Sequence, residues 1–288
     1  MSVPTTAHAF LALDIGATKA DVAVVSPTGG ILNKARIAVA EHPTDLYEAI
    51  VGALADVRAH HDVVALGVAC AGPMSKIEGW VSPLNIPQWR DFPLFDRLVA
   101  DMALPVELDG DVRALALAEG LFGAARGVVN YGSMVVSTGV GSALVMDGSL
   151  LDGATGNAGH LGHICVVPGG NPCSCGATGC LEAHASGWAI AKQVGASPAD
   201  APMAVRWEVA GYVGQAIGTM ASVLDCPQWF IGGSVALGYG DDFFVEANRV
   251  ARTYATMHYS AELQIAPTGL GADGPILGAA ILASQALG

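Results

Sequence analysis

The sequence predicts an α/β protein, and three observations carry this prediction. Short apolar runs alternate with segments whose apolar residues recur at helical spacing, as in folds where strands and helices follow one another. Turns that contain glycine follow two of the apolar runs, at Asp14 and at Ser137. The order of strand, glycine turn and returning strand occurs twice, from Phe10 and from Met134, which indicates one fold duplicated about a cleft.

The chain begins with three predicted strands that pair antiparallel. The apolar run Ala9–Leu13 ends at a turn containing glycine, and the turn Thr28-Gly29-Gly30 separates the runs Val22–Val25 and Ile31–Val39. Apolar residues at helical spacing then predict a helix over Pro43–His61. This order predicts a hairpin-rich start followed by a helix that covers the sheet.

The next elements are a strand, a loop, a second strand and a helix. Val63–Ala69 is a continuous apolar strand, and Gly72–Pro93 is a loop rich in Pro and Trp. Pro105–Leu108 is the second strand, after which Asp111 begins the helix. The inner face of this helix is expected to contain Leu115, Ala118 and Phe122.

The second half repeats the strand pattern and ends with helices. The predicted strands are Met134–Ser137, Ala143–Met146, Leu150–Leu151, Trp229–Ile231 and Leu263–Ala266. The predicted helices are Ala201–Leu224, Asp241–Met257 and a final helix from Pro275.

The composition excludes several classes of protein. The 288 residues include 13 basic and 26 acidic side chains, for a formal charge of −13, without a Lys/Arg block to neutralise a phosphate backbone. We therefore expect no nucleic acid partner. Mean hydropathy is +0.47, but no apolar run approaches the roughly 20 residues of a membrane span, so no membrane is expected. Met1–His8 lacks a basic n-region and an apolar h-region, which predicts a cytoplasmic protein.

Four residues predict a metal site: His163, Cys173, Cys175 and Cys180. Three thiols and an imidazole are a complete tetrahedral set for Zn²⁺, and the glycines between them allow tight turns. The alternative is four ordinary residues, which their close spacing in a cytosolic protein disfavours. Four ligands leave no open position, so the zinc is predicted to be structural. It would hold the loop that carries His160, His163 and Glu182. The other cysteines, Cys70, Cys165 and Cys226, are expected to be free thiols.

Two glycine turns after strands indicate phosphate binding. Backbone N–H groups and Thr hydroxyls in Asp14–Lys19 and Ser137–Gly141, with Lys19, can cradle phosphate oxygens, and Asp14 can hold Mg²⁺ directly or through water. The alternative is that each is only a turn, since neither matches the Walker A pattern. Gly232-Gly233-Ser234 adds a third point of close approach, suited to a base and ribose.

Asp109-Gly110-Asp111 lies where a predicted strand meets a helix. A carboxylate at a helix start is commonly an N-cap, but the carboxyl end of a strand is also where α/β folds bind ligands. The residues by themselves leave both roles open for Asp111.

Taken together, these motifs resemble the ROK family of repressors, open reading frames and kinases, and the resemblance covers nearly the whole chain. The matching segments, in family order, are Asp14-Ile15-Gly16-Ala17-Thr18-Lys19, Asp111 at its helix start, Thr138-Gly139-Val140-Gly141, Ala158-Gly159-His160-Leu161-Gly162-His163, the Cys-x-Cys-Gly-x-x-Gly-Cys-Leu-Glu stretch that ends at Glu182, and Gly232-Gly233-Ser234. The resemblance implies the actin-like ATPase fold, with two ribonuclease-H-like lobes around a cleft. The implied lobes are 1–117 and 118–275, with the final helix, 276–288, joining the first lobe.

The resemblance also implies an activity: an ATP-dependent kinase acting on a hexose or N-acetylhexosamine, normally at O6. Asp111 matches the general base, which accepts the proton of the sugar hydroxyl as that oxygen attacks the γ-phosphate of MgATP. An ordinary low pKa of Asp111 is expected to suffice, since phosphoryl transfer needs mainly positioning and charge neutralisation. The implied phosphate and nucleotide positions are Asp14, Gly16, Thr18, Lys19, Thr138, Gly139, Gly232 and Gly233. The implied sugar positions are Asp111, His160, His163 and Glu182. A homodimer is common in the family.

Three residues depart from the usual family pattern. Ala17 stands where the family usually has Gly, and Gly110 where it usually has Asn before the catalytic Asp, so one sugar hydrogen bond is missing or comes from another group such as Asp109. His160 stands where most glucose kinases of the family have Glu, whereas bacterial N-acetylmannosamine kinases also have His in a similar Ala-Gly-His-x-Gly-His sequence. An imidazole in place of a carboxylate pairs with a different C2 substituent. This favours an N-acetylated or C2-epimeric hexose over glucose.

Several alternatives stay open at this point. A glucokinase and a non-catalytic sugar-binding member of the family are the main ones, and polyphosphate is an alternative donor to ATP. A repressor of the family is disfavoured because Asp14 lies too close to Met1 for a DNA-binding domain. A hydrolase could pair Asp109 with Asp111, which strand geometry would place on one face, but its mechanism leaves the phosphate turns without a role.

Overall fold

The computed structural model describes residues 8–39, 42, 44–84 and 86–288. The chain forms two compact units. The first contains the residues up to Ala118 together with 154–157 and 273–288, and the second contains 119–153 and 158–272. The predicted helix start at Pro43 and residues 1–7 of the N-terminal segment lie outside the described residues.

Strands and helices follow one another along the chain, which confirms the α/β class. The strands are β1 (Ala9–Ile15), β2 (Lys19–Val25), β3 (Ile31–Ala38), β4 (Val63–Cys70), β5 (Met74–Ser75), β6 (Trp80–Val81), β7 (Val106–Gly110), β8 (Tyr131–Val136), β9 (Val140–Met146), β10 (Ser149–Leu150), β11 (Gln228–Gly232) and β12 (Gln264–Pro267). The helices are α1 (Leu46–Arg58), α2 (Leu94–Met102), α3 (Asp111–Leu121), α4 (Glu182–Ala185), α5 (Gly187–Val194), α6 (Met203–Leu224), α7 (Ser234–Gly238), α8 (Asp241–Tyr254) and α9 (Gly274–Gln285).

The first unit contains a five-stranded sheet in the order β3-β2-β1-β4-β7. β1, β2 and β3 pair antiparallel, whereas β4 lies parallel to both β1 and β7. β1 and β4 are apolar and buried along nearly their whole length, as expected for strands covered on both faces. α1 contributes Ile50 and Leu54 to the core below, each worth about 1.5–3 kcal/mol of hydrophobic stabilisation.

The last helix of the chain, α9, packs directly against β4 and α3 in this unit. Gly67 of β4 and Gly278 of α9 make the approach possible, because a Cβ at Gly67 would overlap the carbonyl of Ala279 and one at Gly278 the carbonyl of Ala114. Glycine is therefore required at both positions for steric reasons. The C-terminal helix α9 thus covers one face of the sheet that contains β1, β4 and β7.

The second unit has a five-stranded sheet in the order β10-β9-β8-β11-β12. β8, β9 and β10 pair antiparallel, and β11 lies parallel to β8 and β12. Both sheets therefore place three antiparallel strands before two parallel ones, which confirms the predicted internal repeat. In this unit α6 and α8 cross closely at Gly214 and Gly218, and Trp229 of β11 is fully buried.

Several element boundaries differ from the sequence prediction. β1 continues through Asp14, which pairs with Asp21 of β2, and β7 continues through Gly110, so both motifs begin inside strands and not in turns. Phe122 lies beyond the end of α3 and is only half-buried. Helices α2, α4, α5 and α7 and the β5–β6 hairpin were not predicted. The hairpin and α4, α5 and α7 are too short to show a periodic pattern, whereas α2 buries Leu94, Leu98 and Met102 at helical spacing that the prediction missed. No helix in the described ranges is long and apolar enough to cross a membrane.

Candidate active site

The carboxyl ends of three parallel strands bring together acidic side chains in the first unit. Register pairs Ile15 of β1 with Cys70 of β4, and Cys70 with Gly110 of β7. Asp14 therefore precedes one strand end, and Asp111 directly follows another. Ligands of α/β sheets bind at this edge, so the fold places both predicted carboxylates where chemistry is expected.

Asp14 is the most strongly perturbed group at this edge. Its side chain is only 9% exposed, and burial, followed by repulsion from Asp111 and Asp21, raises its pKa from 3.8 to about 8. Lys19 and Lys34 lower the pKa, but less than burial raises it. None of the described side chains hydrogen-bonds to the Asp14 carboxylate or lies within salt-bridge distance of it. A carboxylate in this position needs a cation or a proton to compensate its charge.

Asp111 is the first residue of α3. Its Oδ1 accepts a hydrogen bond of 2.8 Å from the N–H of Val112, whereas an N-cap bonds the second or third helical N–H. Burial raises the pKa of Asp111, and the N–H groups of Val112 and Asp111 itself lower it by less. The structure thus shifts the pKa of Asp111 upward, whereas an ordinary low pKa was expected to be enough for a general base.

Cys70 is a further ionisable side chain at this edge, and nothing in the sequence indicated that it would lie beside the two carboxylates. It lies at the end of β4 between the ends of β1 and β7, and it is fully buried. Burial, with repulsion from Asp111 and Asp14, holds the pKa of the thiol well above its usual range. Cys70 is therefore a neutral, poorly reactive neighbour of the two carboxylates.

Asp109 has a different environment from Asp111. It is 2% exposed, and its carboxylate binds Lys76 and Arg113 at 3.0 and 2.6 Å. Since β7 ends at Gly110, Asp109 lies in the strand and Asp111 in the helix, and the predicted common strand face is wrong. Asp109 is thus engaged in ion pairs, which leaves it poorly suited to a hydrolase role or to replacing the sugar contact missing at Gly110.

The first glycine turn joins β1 to β2. The N–H of Gly16 donates to the carbonyl of Lys19 at 2.9 Å, so this N–H closes the turn and does not point outward as expected. Ala17 has no positive φ, so the backbone does not require glycine there. Thr18 is exposed, and Lys19 Nζ lies 3.5 Å from Asp21. Thr18 is the side chain of this turn most accessible to a ligand.

The second glycine turn joins β8 to β9 in the second unit. The N–H of Ser137 donates to Gly139, and Glu182 Oε2 accepts from the N–H of Val140 at 2.9 Å. Glu182, predicted to bind sugar, therefore also fixes the strand that follows Thr138 and Gly139. The α4 helix that carries Glu182 begins at this residue.

A further loop lies at the end of β11, beside β8. Gly233 has φ +98°, and a Cβ there would overlap the carbonyl of Val136. Glycine is thus required at 233, and the backbone after β11 lies directly against β8. The hydroxyl oxygens of Ser137 and Ser234 are 3.0 Å apart. The turn that contains Thr138 and the loop that follows Gly232 are therefore direct neighbours in this unit.

His160 and His163 lie on either side of a short 3₁₀ turn, Leu161–His163. Their ring centroids are 6.3 Å apart, and the ring planes differ by 25°. His160 is exposed and His163 is half-buried. The His160 ring borders solvent, and the half-buried His163 ring faces the cysteine cluster.

The predicted zinc ligands meet in space. The ligand atoms of His163, Cys173, Cys175 and Cys180 all lie within 4.8 Å of one another. His163 Nδ1 is 3.6 Å from Cys173 Sγ, and Cys175 Sγ is 3.7 Å from Cys180 Sγ. With Zn–S near 2.3 Å and Zn–N near 2.0–2.1 Å, the edges of a tetrahedron are roughly 3.5–3.8 Å, so the donors fit Zn²⁺. All six cysteines of the chain are free of disulfides.

Comparison with known proteins agrees with this arrangement. A family model described as the ROK family matches residues 10–286. A glucokinase from Halalkalibacterium halodurans is 32% identical over 96% of this chain and 95% of its own length. An N-acetylmannosamine kinase from Escherichia fergusonii is 32% identical over 95% of this chain and 97% of its own.

A solved structure matches the whole fold. The ROK family glucokinase from Streptomyces griseus, in complex with glucose and AMPPNP, superimposes with a TM-score of 0.86 at 29% identity, covering 96% of this chain and 99% of that one. The fold is therefore the actin-like ATPase fold, as the resemblance implied. Since the family model covers nearly the whole chain, the protein belongs to the ROK family.

Proposed function

We propose that this protein is an ATP-dependent kinase that phosphorylates a hexose or N-acetylhexosamine at O6. Relatives named as glucokinase and as N-acetylmannosamine kinase, each near 32% identity over almost the full chain, support a sugar kinase. In the proposed reaction Asp111 accepts the proton of the sugar hydroxyl as its oxygen attacks the γ-phosphate. Catalysis otherwise rests on positioning and charge neutralisation.

The pair of buried carboxylates at one sheet edge is the observation that carries this proposal. A kinase base must be a carboxylate that takes up a proton during transfer, and burial raises the pKa of Asp111 in the direction that favours this. Asp14 lies on the same edge, and none of the described cationic side chains lies within salt-bridge distance of its carboxylate. Two buried carboxyl groups whose ionisation is unfavourable without a counter-charge fit a site that binds a divalent cation with its substrate.

Asp14 would hold Mg²⁺, directly or through water. Magnesium binds carboxylate oxygens and keeps several waters, and the unpaired Asp14 carboxylate is suited to it. Bound Mg²⁺ would neutralise phosphate charge during transfer. The residues proposed to hold the nucleotide phosphates and ribose are Thr18, Lys19, Thr138, Gly139, Gly232 and Gly233. Gly16 belongs to the same turn as Thr18, but its N–H is already bound to the carbonyl of Lys19.

The second unit is proposed to recognise the sugar through His160, His163 and Glu182. Zinc held by His163 and the three cysteines would keep the His163 ring in place, with its second nitrogen facing the ligand. His160 is exposed, so its imidazole can pair with a substituent at C2. We therefore propose that the preferred sugar is N-acetylated or C2-epimeric relative to glucose.

A coupled assay of ADP release tests the activity. The panel is glucose, mannose, N-acetylmannosamine, N-acetylglucosamine, fructose and allose, and NMR of the product locates the phosphate. We expect Asp111→Asn to lower kcat by about 10²–10⁴, the usual contribution of a general base, while sugar binding persists. Asp62→Asn is the matched control, because Asp62 is exposed at the opposite end of β4. Turnover of Asp111→Asn within threefold of wild type would remove Asp111 from the proposed role.

The homodimer implied by the family resemblance and the cytoplasmic location expected from the sequence belong to the same proposal. Light scattering coupled to size-exclusion chromatography tests the first. A monomer at micromolar concentration would contradict it. Fractionation of the source cells tests the second.

A further inference from the structure

A compact ion-pair network surrounds Asp109, next to the proposed base. Asp109 Oδ1 accepts from Arg113 Nε at 2.6 Å and from the N–H of Gly110 at 2.7 Å, and Oδ2 accepts from Lys76 Nζ at 3.0 Å. Lys76 Nζ also lies 3.5 Å from Glu107. The carboxylate is therefore bound on both oxygens, and one of its donors is the residue that directly precedes Asp111.

Arg113 fills the space beside Gly110. It is 5% exposed, and a Cβ built at Gly110 would lie 3.3 Å from its Cδ and 3.5 Å from its Cγ. The first of these is tighter than an ordinary van der Waals contact. Arg113 has little room to yield, because its Nε is tied to the buried Asp109. A side chain at position 110 therefore requires the Arg113 side chain to move.

Lys76 connects the network to two other segments of the first unit. It lies in the turn of the β5–β6 hairpin, and its stem approaches Gly156, where a Cβ would lie 3.4 Å from Lys76 Cδ. Asn157 Nδ2 donates to the carbonyl of Met74 at 3.2 Å. The hairpin that carries Lys76 therefore also contacts residues 154–157.

We propose that Asp109, held by Lys76 and Arg113, is the positioning residue for Asp111, and that positions 110 and 113 are coupled. The coupling means that Arg113 occupies the volume that a sugar-reading side chain at 110 would need. Arginine at 113 and a side chain at 110 therefore exclude one another, so the glycine at 110 accompanies the arginine at 113. This inference rests on the proposed kinase function, which it deepens.

The backbone between Asp109 and Asp111 determines where the side chain of the proposed base points. The strand β7 becomes α3 with no intervening loop, so the direction of the Asp111 side chain is set by the backbone at Gly110. Glycine is the most flexible residue, and its N–H is held by Asp109 Oδ1. Because a misplacement of about 1 Å can cost 10²-fold in rate, loss of this restraint should lower kcat more than it changes substrate binding.

Variants of the network test the positioning role. Lys76→Met removes the ammonium group that binds Asp109 and leaves the Arg113–Asp109 ion pair in place. Because the Lys76 side chain is 30% exposed, we expect this variant to fold. Asp109→Asn removes the carboxylate charge. We expect kcat to fall about tenfold in each, with KM for sugar and for MgATP within threefold. Tyr47→Phe is the control, because it deletes a hydrogen bond of 2.7 Å to Asp101 elsewhere in the first unit and should leave kcat unchanged.

A double-substitution cycle tests the coupling. Gly110→Asn alone should lower kcat/KM about tenfold, and the same change in an Arg113→Ala background should lower it less than threefold. Urea unfolding of the four proteins without ligand supplies a second readout, in which the midpoint loss from Gly110→Asn should shrink when Arg113 is absent. Arg113→Lys keeps the charge but retains the Cδ that blocks position 110, so it should not relieve the clash.

The outcomes separate this inference from the proposed function. The coupling is overturned if Gly110→Asn has the same effect with and without Arg113. That result would be an equal fold-change in kcat/KM and an equal shift of the urea midpoint in both backgrounds. A kcat within twofold of wild type in Lys76→Met and in Asp109→Asn overturns the positioning role. If the wild-type protein phosphorylates no sugar of the panel, the proposed function fails and the positioning role fails with it, whereas the urea cycle still decides the coupling.

Discussion

Asparagine in place of Asp14 should stabilise the free protein while it abolishes the proposed activity. Asp14 is 9% exposed and is paired with no described cation. Its pKa is raised from 3.8 to about 8, so folding becomes less favourable as pH rises through this interval, because the folded state must keep a proton or bury a charge. The asparagine side chain has the same shape and never ionises. The stability gained by Asp14→Asn should therefore grow with pH.

The expected gain follows from the interval between the two pKa values. Below pH 3.8 the carboxyl is protonated in both folded and unfolded chains, so the substitution changes little. Each pH unit between 3.8 and about 8 then costs the wild type about 1.4 kcal/mol. At pH 7 the full cost is roughly 4 kcal/mol, and relaxation around the buried charge lowers what is measured to about 2–4 kcal/mol.

Asp21 is a matched control with the opposite sign. It lies directly across from Asp14 in the β1–β2 pair and is 1% exposed. Arg36 binds it through two hydrogen bonds of 2.6 and 2.9 Å, and these partners hold the pKa of Asp21 below its usual range. The stability that Asp21 supplies is therefore present above pH 4 and is lost as pH falls through its lowered pKa. Asp21→Asn should cost about 1.5–3 kcal/mol at pH 7, the range for charged hydrogen bonds.

Differential scanning calorimetry at pH 5, 7 and 8.5, without nucleotide or magnesium, measures both effects. A gain of about 3 kcal/mol at pH 7 corresponds to roughly 6–12 °C for a unit of this size. MgATP should raise Tm more in the wild type than in Asp14→Asn, because only the carboxylate gains from the cation. An Asp14→Asn protein that is less stable than wild type at pH 8.5, or whose shift does not depend on pH, would refute this account of Asp14.

Three other predictions concern the metal, the base and the sugar. Elemental analysis should find one zinc per chain, and Cys175→Ser should lower both zinc content and Tm; metal-free protein of unchanged stability would contradict the site. The acid limb of kcat/KM for sugar should lie above the usual pKa of an aspartate, since burial raises the pKa of Asp111 and only the ionised carboxylate accepts a proton; a limb at or below pH 4 would contradict this. His160→Glu should shift the kcat/KM ratio toward glucose by about ten- to a hundredfold, equivalent to roughly 1.5–3 kcal/mol; an unchanged ratio would remove His160 from C2 recognition.

The sequence was sufficient for the features that depend on local pattern. Apolar runs and glycine turns predicted both sheets and their repeat, because strands such as β1 and β4 are buried enough to form continuous apolar segments in the sequence. The spacing of His163, Cys173, Cys175 and Cys180 predicted four donors that do meet in space. The short helices were missed because α4, α5 and α7 have four to eight residues each, too few for a helical period to appear.

The features that depend on long-range contact could not be predicted. The departure at Gly110 is visible in the sequence, but the Arg113 side chain that fills its space is not, because that contact exists only where β7 turns directly into α3. Lys76 gave no signal at all, since a lysine in a Pro-rich loop is usually solvated. The raised pKa of Asp14 likewise depends on the strands and helices that bury it, which no local motif describes.

The buried acids of this chain fall into two groups, those whose carboxylates bind several donors and those whose charge the surroundings leave largely uncompensated. Asp21 and Asp109 are bound by cationic side chains, and Glu119, which is fully buried, accepts from three backbone N–H groups at 2.7–3.0 Å. Asp14 and Asp111, by contrast, keep raised pKa values because burial outweighs every compensating group. A protein retains the free-energy cost of burying an uncompensated carboxylate where a bound ion or substrate later supplies the opposite charge. Replacement by the amide should therefore destabilise the first three and stabilise the last two, so the sign of the stability change separates the two carboxyl groups proposed for the active site from the others before any activity is measured.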